Sequence, residues 1–186
     1  MASTYLEKKL NEIPVAETID NGNPEGSETK TRTLTLRTSN GQEFEVPKSV
    51  VVLSVTIKHI LEEGFELNKI LLPLVDRRIL ARVISYLTKH TEGGVSDEEK
   101  RDFDKEFVVR KEMSVLFDVV SATNYLDIKG LLDLVFQEIA NRMQNKSVKW
   151  VRKTLCIEND FTPEEEEQIK RDHAWAWEGV ESDDDD

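Results

Sequence analysis

The stretch IKGLLDLVFQEIANRM, residues 128–143, reads as a helix with two apolar faces. One stripe is Ile128, Leu131 and Val135; the other is Leu132, Phe136, Ile139 and Met143. At about 3.6 residues per turn, the two stripes cover much more of the helix than docking on one side requires. Two readings stand at this point. Either the helix is buried centrally within its own chain, or one face meets a domain core and the other meets a partner.

The residues before the helix must then supply that core. From residue 33 the pattern TLTLRT alternates strictly, and QEFEV resumes the alternation after SNG. A two-residue Asn40-Gly41 turn would set Leu36 opposite Glu45. A three-residue loop, Ser39 to Gly41 with Gly41 left-handed, pairs Leu36 with Phe44 and Leu34 with Val46, and hydrophobic register favours it. SVVVL (49–53) is β-branched and fits strand or helix. Ile57, Ile60 and Leu61 have helical spacing, with Gly64 as a C-cap. KILLPLV (69–75) reads as a short strand broken at Pro73. Residues 76–90 carry the stripe Ile79, Leu80, Val83, Ile84 and Leu87. HTEGGVSDEEKRD (90–102) reads as a loop, followed by a short helix near 103–108 and a buried one near 114–124. The two-faced helix spans about 128–144, with Asp127 as its cap.

Beyond it the pattern predicts a short helix over 148–155 and then reaches NDFTPEEEEQIKRDHAWAW (159–177). Thr162 is an N-cap, Pro163 suits the first helical position, and Glu165 completes a capping box. Glu166–Lys170 and Glu167–Arg171 are spaced for i,i+4 pairs. Between Pro163 and His173 the one large apolar residue is Ile169, so this helix has little with which to dock on its own chain. Trp175 and Trp177 must find a surface, on this chain or another. The layout is α+β, with the strands in the N-terminal half and an all-helical C-terminal extension.

Composition narrows the function. The chain has 186 residues, 38% hydrophobic and 33% charged, with 37 Asp and Glu against 25 Lys and Arg, a formal charge of −12. That balance disfavours nucleic acid as a partner, because a phosphate backbone demands a basic footprint. The N-terminus lacks the apolar core of a signal peptide, and no apolar run approaches a membrane span. Cys156 is the sole cysteine, so no intrachain disulfide can form, and a reducing, intracellular setting is expected. Residues 1–30 are polar and rich in turn formers, which predicts disorder, and ESDDDD is a solvated acidic tail.

Catalytic readings fare poorly. His59, His90 and His173 have no metal-ligand spacing. TEGGVSD lacks the ending of a phosphate loop. Cys156, between Leu155 and Ile157, reads as a small core residue rather than a nucleophile. The run of four glutamates points all round its helix. No acid, base and nucleophile assemble, and no cofactor or metal is expected.

The segments SVTIKHILEEG, RILARVISYLTKH, LFDVVSATNYLDIKGLLDL, VRKTLCIENDFTPEEEEQIKRD and AWAWE resemble the Skp family, the small adaptors of Skp–cullin–F-box ubiquitin ligases. The resemblance runs from about residue 33 to 178, and NYLDIKGLLDL followed by NDFTPEEEE is its most specific part. The divergent positions resemble one member of a multigene set, as in plants. The resemblance implies a BTB/POZ fold over about 31–127, a helical F-box-binding extension over 128–178 and an acidic tail at 179–186. It implies a non-enzymatic bridge between cullin and substrate receptor, in nucleus and cytoplasm. Cullin contact would fall on Asn124 and Tyr125. F-box contact would fall on Leu132, Phe136, Ile139 and Met143, with Trp150 on the same surface and Trp175 closing over it. The chain departs from the family in four places. SVKW (147–150) replaces TPEE, HAW replaces NQW, SVVVL replaces a more polar segment, and Ser121 replaces a leucine in the buried helix, at a cost of roughly 1–3 kcal/mol if its hydroxyl is unpaired. A second function class is a BTB-type assembly protein that homodimerises and serves no ligase. The extension through NDFTPEEEE to the tryptophans argues for F-box binding.

Overall fold

A computed structural model describes residues 33–63 and 69–180. The expected disorder over 1–30, the cap at Gly64 and the acidic run ESDDDD lie outside the described residues. Strand β1 (Thr33–Thr38) pairs antiparallel with β2 (Glu43–Pro47) in the register that hydrophobic pairing favours, Leu36 opposite Phe44 and Leu34 opposite Val46. Gly41 sits at φ +80°, where a side chain would be strained. The Thr38 amide closes the loop on the Gln42 carbonyl at 2.8 Å. SVVVL resolves into a four-residue helix α1 (Lys48–Val51), and α2 (Val55–Glu62) follows with Ser54 as its N-cap. A third strand, β3 (Lys69–Leu72), runs parallel to β1 and completes a sheet of order β2-β1-β3. The inward residues Leu34, Leu36, Phe44, Val46, Ile70 and Leu72 are buried, as alternation requires.

Helix α3 (Arg77–Thr91) is capped by Asp76, whose carboxylate accepts from the Ile79 amide at 2.8 Å. Its stripe from Ile79 to Leu87 is buried in the same core as the sheet. The loop expected over 90–102 is shorter than anticipated. Helix α4 (Asp97–Val108) begins inside it, because Ser96 and Glu99 form a full capping box and three carboxylates occupy the positive end of the helix. Helix α5 (Met113–Leu126) then packs against α3 and α2. Ser121 is exposed and its hydroxyl donates to the Phe117 carbonyl at 3.0 Å, so no desolvation cost attaches to it.

Asp127 is not the N-cap of the next helix. It is the left-handed residue that ends α5, with φ 48°, and its amide returns to the Asn124 and Thr123 carbonyls. Helix α6 (Lys129–Met143) starts from Ile128 without a side-chain cap and packs on α5 and against α4. Helices α7 (Val148–Leu155) and α8 (Pro163–Asp172) follow, with a 3-10 turn over Ala174–Trp177. The α8 capping box forms as expected. The two i,i+4 pairs do not, because Glu166 turns to Arg152 and Arg171 donates to Gln168. None of the residues of α7 or α8 is buried.

Ser54 ties the two halves of the domain together. It is fully buried; its hydroxyl donates to the Leu126 carbonyl at 2.6 Å and accepts from the Ile57 amide at 3.2 Å. Ser54→Ala removes a cap and a buried acceptor's partner at once. It is expected to cost about 2 kcal/mol in urea unfolding, against no more than a few tenths for Ser121→Ala at the exposed position.

Candidate functional site

Two partly apolar surfaces lie on the α5–α6 hairpin, one at the turn between the helices and one along α6. The first surrounds the C-terminal end of α5. Asn124 is exposed and Tyr125 half-buried. Residues 54–56 are fastened beside them: Thr56 donates through its hydroxyl to the Tyr125 carbonyl at 3.0 Å, and the Val55 amide donates to the Asp127 carbonyl at 3.2 Å. That fastening carries Val52, Leu53 and Val55 to the same end of α5, and all three are exposed. Sequence reasoning did not include them in the site. The signal was the apolar run SVVVL, whose direction could not be known before its backbone was placed.

The second surface is on α6. Ile128, Leu131, Val135 and Ile139 form the buried stripe, with Leu131 and Val135 fully enclosed. Ile139 was expected on the partner face; at 7% exposure it belongs to the core instead. The spacing explains the correction, since Ile139 follows Val135 by four residues and continues its line along the helix. What the core leaves is Phe136, 50% exposed, flanked by half-buried Leu132 and Met143. Met143 also packs on the edge of the core. The reading of α6 as wholly internal therefore fails at Phe136.

The extension presents further apolar side chains. Trp175 is 73% exposed, Trp177 and Trp150 are half-buried, and Lys146 lies over the Trp150 ring at 5.6 Å. No second aromatic ring stacks on any of these indoles among the described residues. Leu155, Ile157, Phe161 and Ile169 are exposed as well. Cys156 was expected in the core. It is exposed and left-handed at φ 54°, forming the C-cap of α7, because the chain must reverse there toward α8.

A polar clasp sets α8 against α7. Arg152 donates to Glu166 at 2.7 Å, Asn159 donates to the same carboxylate oxygen at 3.0 Å, and the Arg152 guanidinium lies 5.6 Å from the centre of the Phe161 ring. The hydrogen bond from Arg152, joined by that from Asn159, holds the Glu166 carboxyl below its ordinary range. Its contribution is therefore present above the usual glutamate range and is lost as pH falls through the lowered value.

Among the described residues no group of His, Cys, Asp and Glu side chains could hold a metal ion. No described helix is long and apolar enough to cross a membrane. Nothing in either surface places a nucleophile beside a base. Both consist of apolar side chains rimmed by polar ones, the composition of a protein interface rather than a reaction centre.

Comparison with known proteins agrees with that reading. Residues 32–92 match the tetramerisation domain of the Skp1 family, its POZ portion, and residues 129–176 match the dimerisation domain of the same family. SKP1-like protein 1 of Oryza sativa subsp. japonica is 39% identical over 172 residues, covering 82% of this chain and 99% of its own length. SKP1-like protein 20 of the same plant is 42% identical over 166 residues, covering 78% of this chain and 94% of its own length. SKP1-like protein 4 of Arabidopsis thaliana is 39% identical over 164 residues, covering 82% and 99%. With identity at this level over nearly the whole of each relative, the chain belongs to the Skp1 family.

Proposed function

We propose that this Skp1-family chain works as the adaptor of a Skp–cullin–F-box ubiquitin ligase by meeting one partner at the turn between α5 and α6 and the other on the outer face of α6. The adaptor role comes with the family, whose members are non-catalytic subunits of ligase complexes. The assignment of residues starts from those the resemblance implies and adds Val52, Leu53 and Val55. Asn124 and Tyr125, widened by Val52, Leu53 and Val55, face the cullin. Leu132, Phe136 and Met143 face the F-box, with Trp150 on that surface and Trp175 closing over it. The POZ unit then spans 31–127 and the receptor-binding extension 128–178. The observation that carries the reading is the split of α6 into a buried stripe and an exposed Phe136. The alternative is a chain of this family that only homodimerises, through the exposed apolar side chains of an extension that matches the family's dimerisation domain. Size-exclusion mass with and without an F-box peptide tests that alternative directly. A dimer that ignores the peptide would favour it.

The two faces of α6 set opposite outcomes for neighbouring substitutions. Phe136→Ala should weaken capture of an F-box peptide by several kcal/mol, as central aromatic anchors do, with little loss of melting temperature. Ile139→Ala should behave in the opposite sense, costing about 2–5 kcal/mol of folding stability as a buried truncation. Calorimetric melting beside peptide titration separates the two, and equal destabilisation by both variants contradicts the partner face.

Tyr125→Ala and Leu53→Ser should each reduce cullin pull-down while F-box binding persists, since the two sets of residues have no member in common. Loss of both partners together would show that the hairpin itself had collapsed.

Truncation after Asp172 removes Trp175 and Trp177 but keeps the α8 capping box and the Arg152–Glu166 clasp. Unliganded stability should change little, because no residue of the 3-10 turn that is removed is buried. Dissociation of the F-box should accelerate, interface losses appearing mainly in koff. A protein destabilised by the truncation without any partner would place the indoles on its own core.

A further inference from the structure

Where α6 ends, the apolar face left to a partner runs directly into a basic one. Met143 closes that face. Asn145 follows in the left-handed conformation at φ 63°, and the Lys146 amide returns to the Met143 carbonyl at 3.2 Å. Ser147 then caps α7 by accepting from the Trp150 amide at 3.0 Å. Residues 146–155, KSVKWVRKTL, hold four cations and no carboxylate, in a chain whose formal charge is −12. Helical spacing sorts them. Lys149, Trp150 and Lys153 fall on one side of α7, and Val148, Val151 and Leu155 fall on the opposite side. Lys146 joins the first group from the turn, its ammonium 5.6 Å from the centre of the Trp150 ring. Arg152 stands outside this stripe and is engaged by Glu166.

Lys149 and Lys153 are exposed and Trp150 is half-buried. An indole beside ammonium groups shields them from water on one side, so an ion pair formed there is screened less than one in open solvent. The arrangement discriminates among anionic ligands. A helix lying in a membrane surface puts its tryptophan on the apolar face and its lysines on the other; here the indole sits with the lysines. A nucleic acid would meet a strongly acidic chain. An acidic peptide segment offers carboxylates to the ammonium groups and side-chain carbon to the indole. Such a segment can also continue a partner already seated on Phe136 and Met143, because the stripe begins three residues after Met143. Lys149 and Trp150 are two of the positions at which this chain departs from its family, so the stripe bears on choice among receptors rather than on a role common to every member.

We infer that the stripe of Lys146, Lys149, Trp150 and Lys153 selects F-box receptors that carry an acidic segment next to the apolar residues engaged by α6. This preference rests on the F-box assignment made above and names the class of receptor that the chain favours. From Lys146 to Lys153 the stripe spans about 10 Å along the helix, enough to meet two or three carboxylates of one segment.

Calorimetric titration of the full-length chain tests it with one synthetic F-box peptide in three forms: three glutamates added before it, three glutamates added after it, or three glutamines at both ends. One glutamate form should bind at least tenfold more tightly than the glutamine form at low ionic strength, and the advantage should shrink as salt is raised. In the double variant Lys149→Gln, Lys153→Gln the ratio between the two forms should fall to within twofold of one. Lys105→Gln, at an exposed lysine on α4, should leave the ratio as it is; an equal fall there would show a response to net charge alone and overturn the inference. Equal affinity for all three forms overturns it while leaving the F-box assignment standing, even where a preference appears after residues 181–186 are removed, since the chain's own acidic tail would then be the occupant. Failure of every form to bind overturns the F-box assignment and the preference with it. Two further results make something else the ligand of the stripe and overturn the inference: self-association abolished by the double variant, which points to the Glu164–Glu167 run of a second copy, and binding to phosphatidylserine vesicles that the double variant loses.

Discussion

Three carbonyls at the C-terminal end of α5 have to be satisfied from outside their own helix, and the architecture turns on how this is done. A helix leaves its last carbonyls without intrahelical donors. Here those of Tyr125, Leu126 and Asp127 are taken by the Thr56 hydroxyl, the Ser54 hydroxyl and the Val55 amide. The donors come from residues about 70 positions earlier in the chain. They also belong to the start of α2, whose positive end meets the negative end of α5. One set of bonds thus caps two helices, joins the hairpin segment to the helical half, and fixes Asp127 where the chain must reverse into α6.

The reversal at Asp127 divides stability from recognition. An aspartate tolerates the left-handed conformation better than most residues, and the Ile128 amide reaches back to the Thr123 carbonyl at 3.0 Å to close the turn. Ile128 is thereby buried at the start of α6, and the line Leu131, Val135, Ile139 follows into the core. Once that line is fixed, helical geometry obliges Phe136 to face outward, because it lies one residue beyond Val135. The exposed aromatic is a consequence of the core register rather than an independent feature. The same turn leaves Asn124 and Tyr125 on the last turn of α5, beside the reversal, with Phe136 about two turns further along α6.

Much of this is legible in the sequence, and the failures have physical causes. The β1–β2 register follows from pairing Leu36 with Phe44, since a one-residue slip would face Glu45 inward. The α8 capping box is plain in its pattern, yet the same pattern at Ser96 to Glu99 is masked by the glycines before it. Ile139 is ambiguous in sequence because two adjacent stripes on one helix blur where they meet, and only the packing of α4 and α5 against α6 decides the boundary. Cys156 looks apolar by its neighbours Leu155 and Ile157, but all three end exposed where a helix stops and the chain reverses. Val52, Leu53 and Val55 are visible as an apolar run. What the sequence lacks is the long-range bonding that brings that run beside Tyr125.

The extension is held differently from the domain that carries it. The domain closes around a single core from Leu34 to Ile139, whereas α7 and α8 contribute no buried residue. Their mutual placement rests on one carboxylate, Glu166, shared between Arg152 and Asn159, with Phe161 beside the guanidinium. Exposed ion pairs of this kind stabilise weakly. They do constrain direction, so the clasp orients the arm that ends in Trp175 without burying it. A weakly held, oriented arm leaves its apolar area exposed, and the ordering cost of any association falls because the orientation is already set. The formal charge of −12 is the complementary condition. Repulsion between like-charged copies opposes self-association of a chain that carries Phe136, Ile157 and Trp175 exposed.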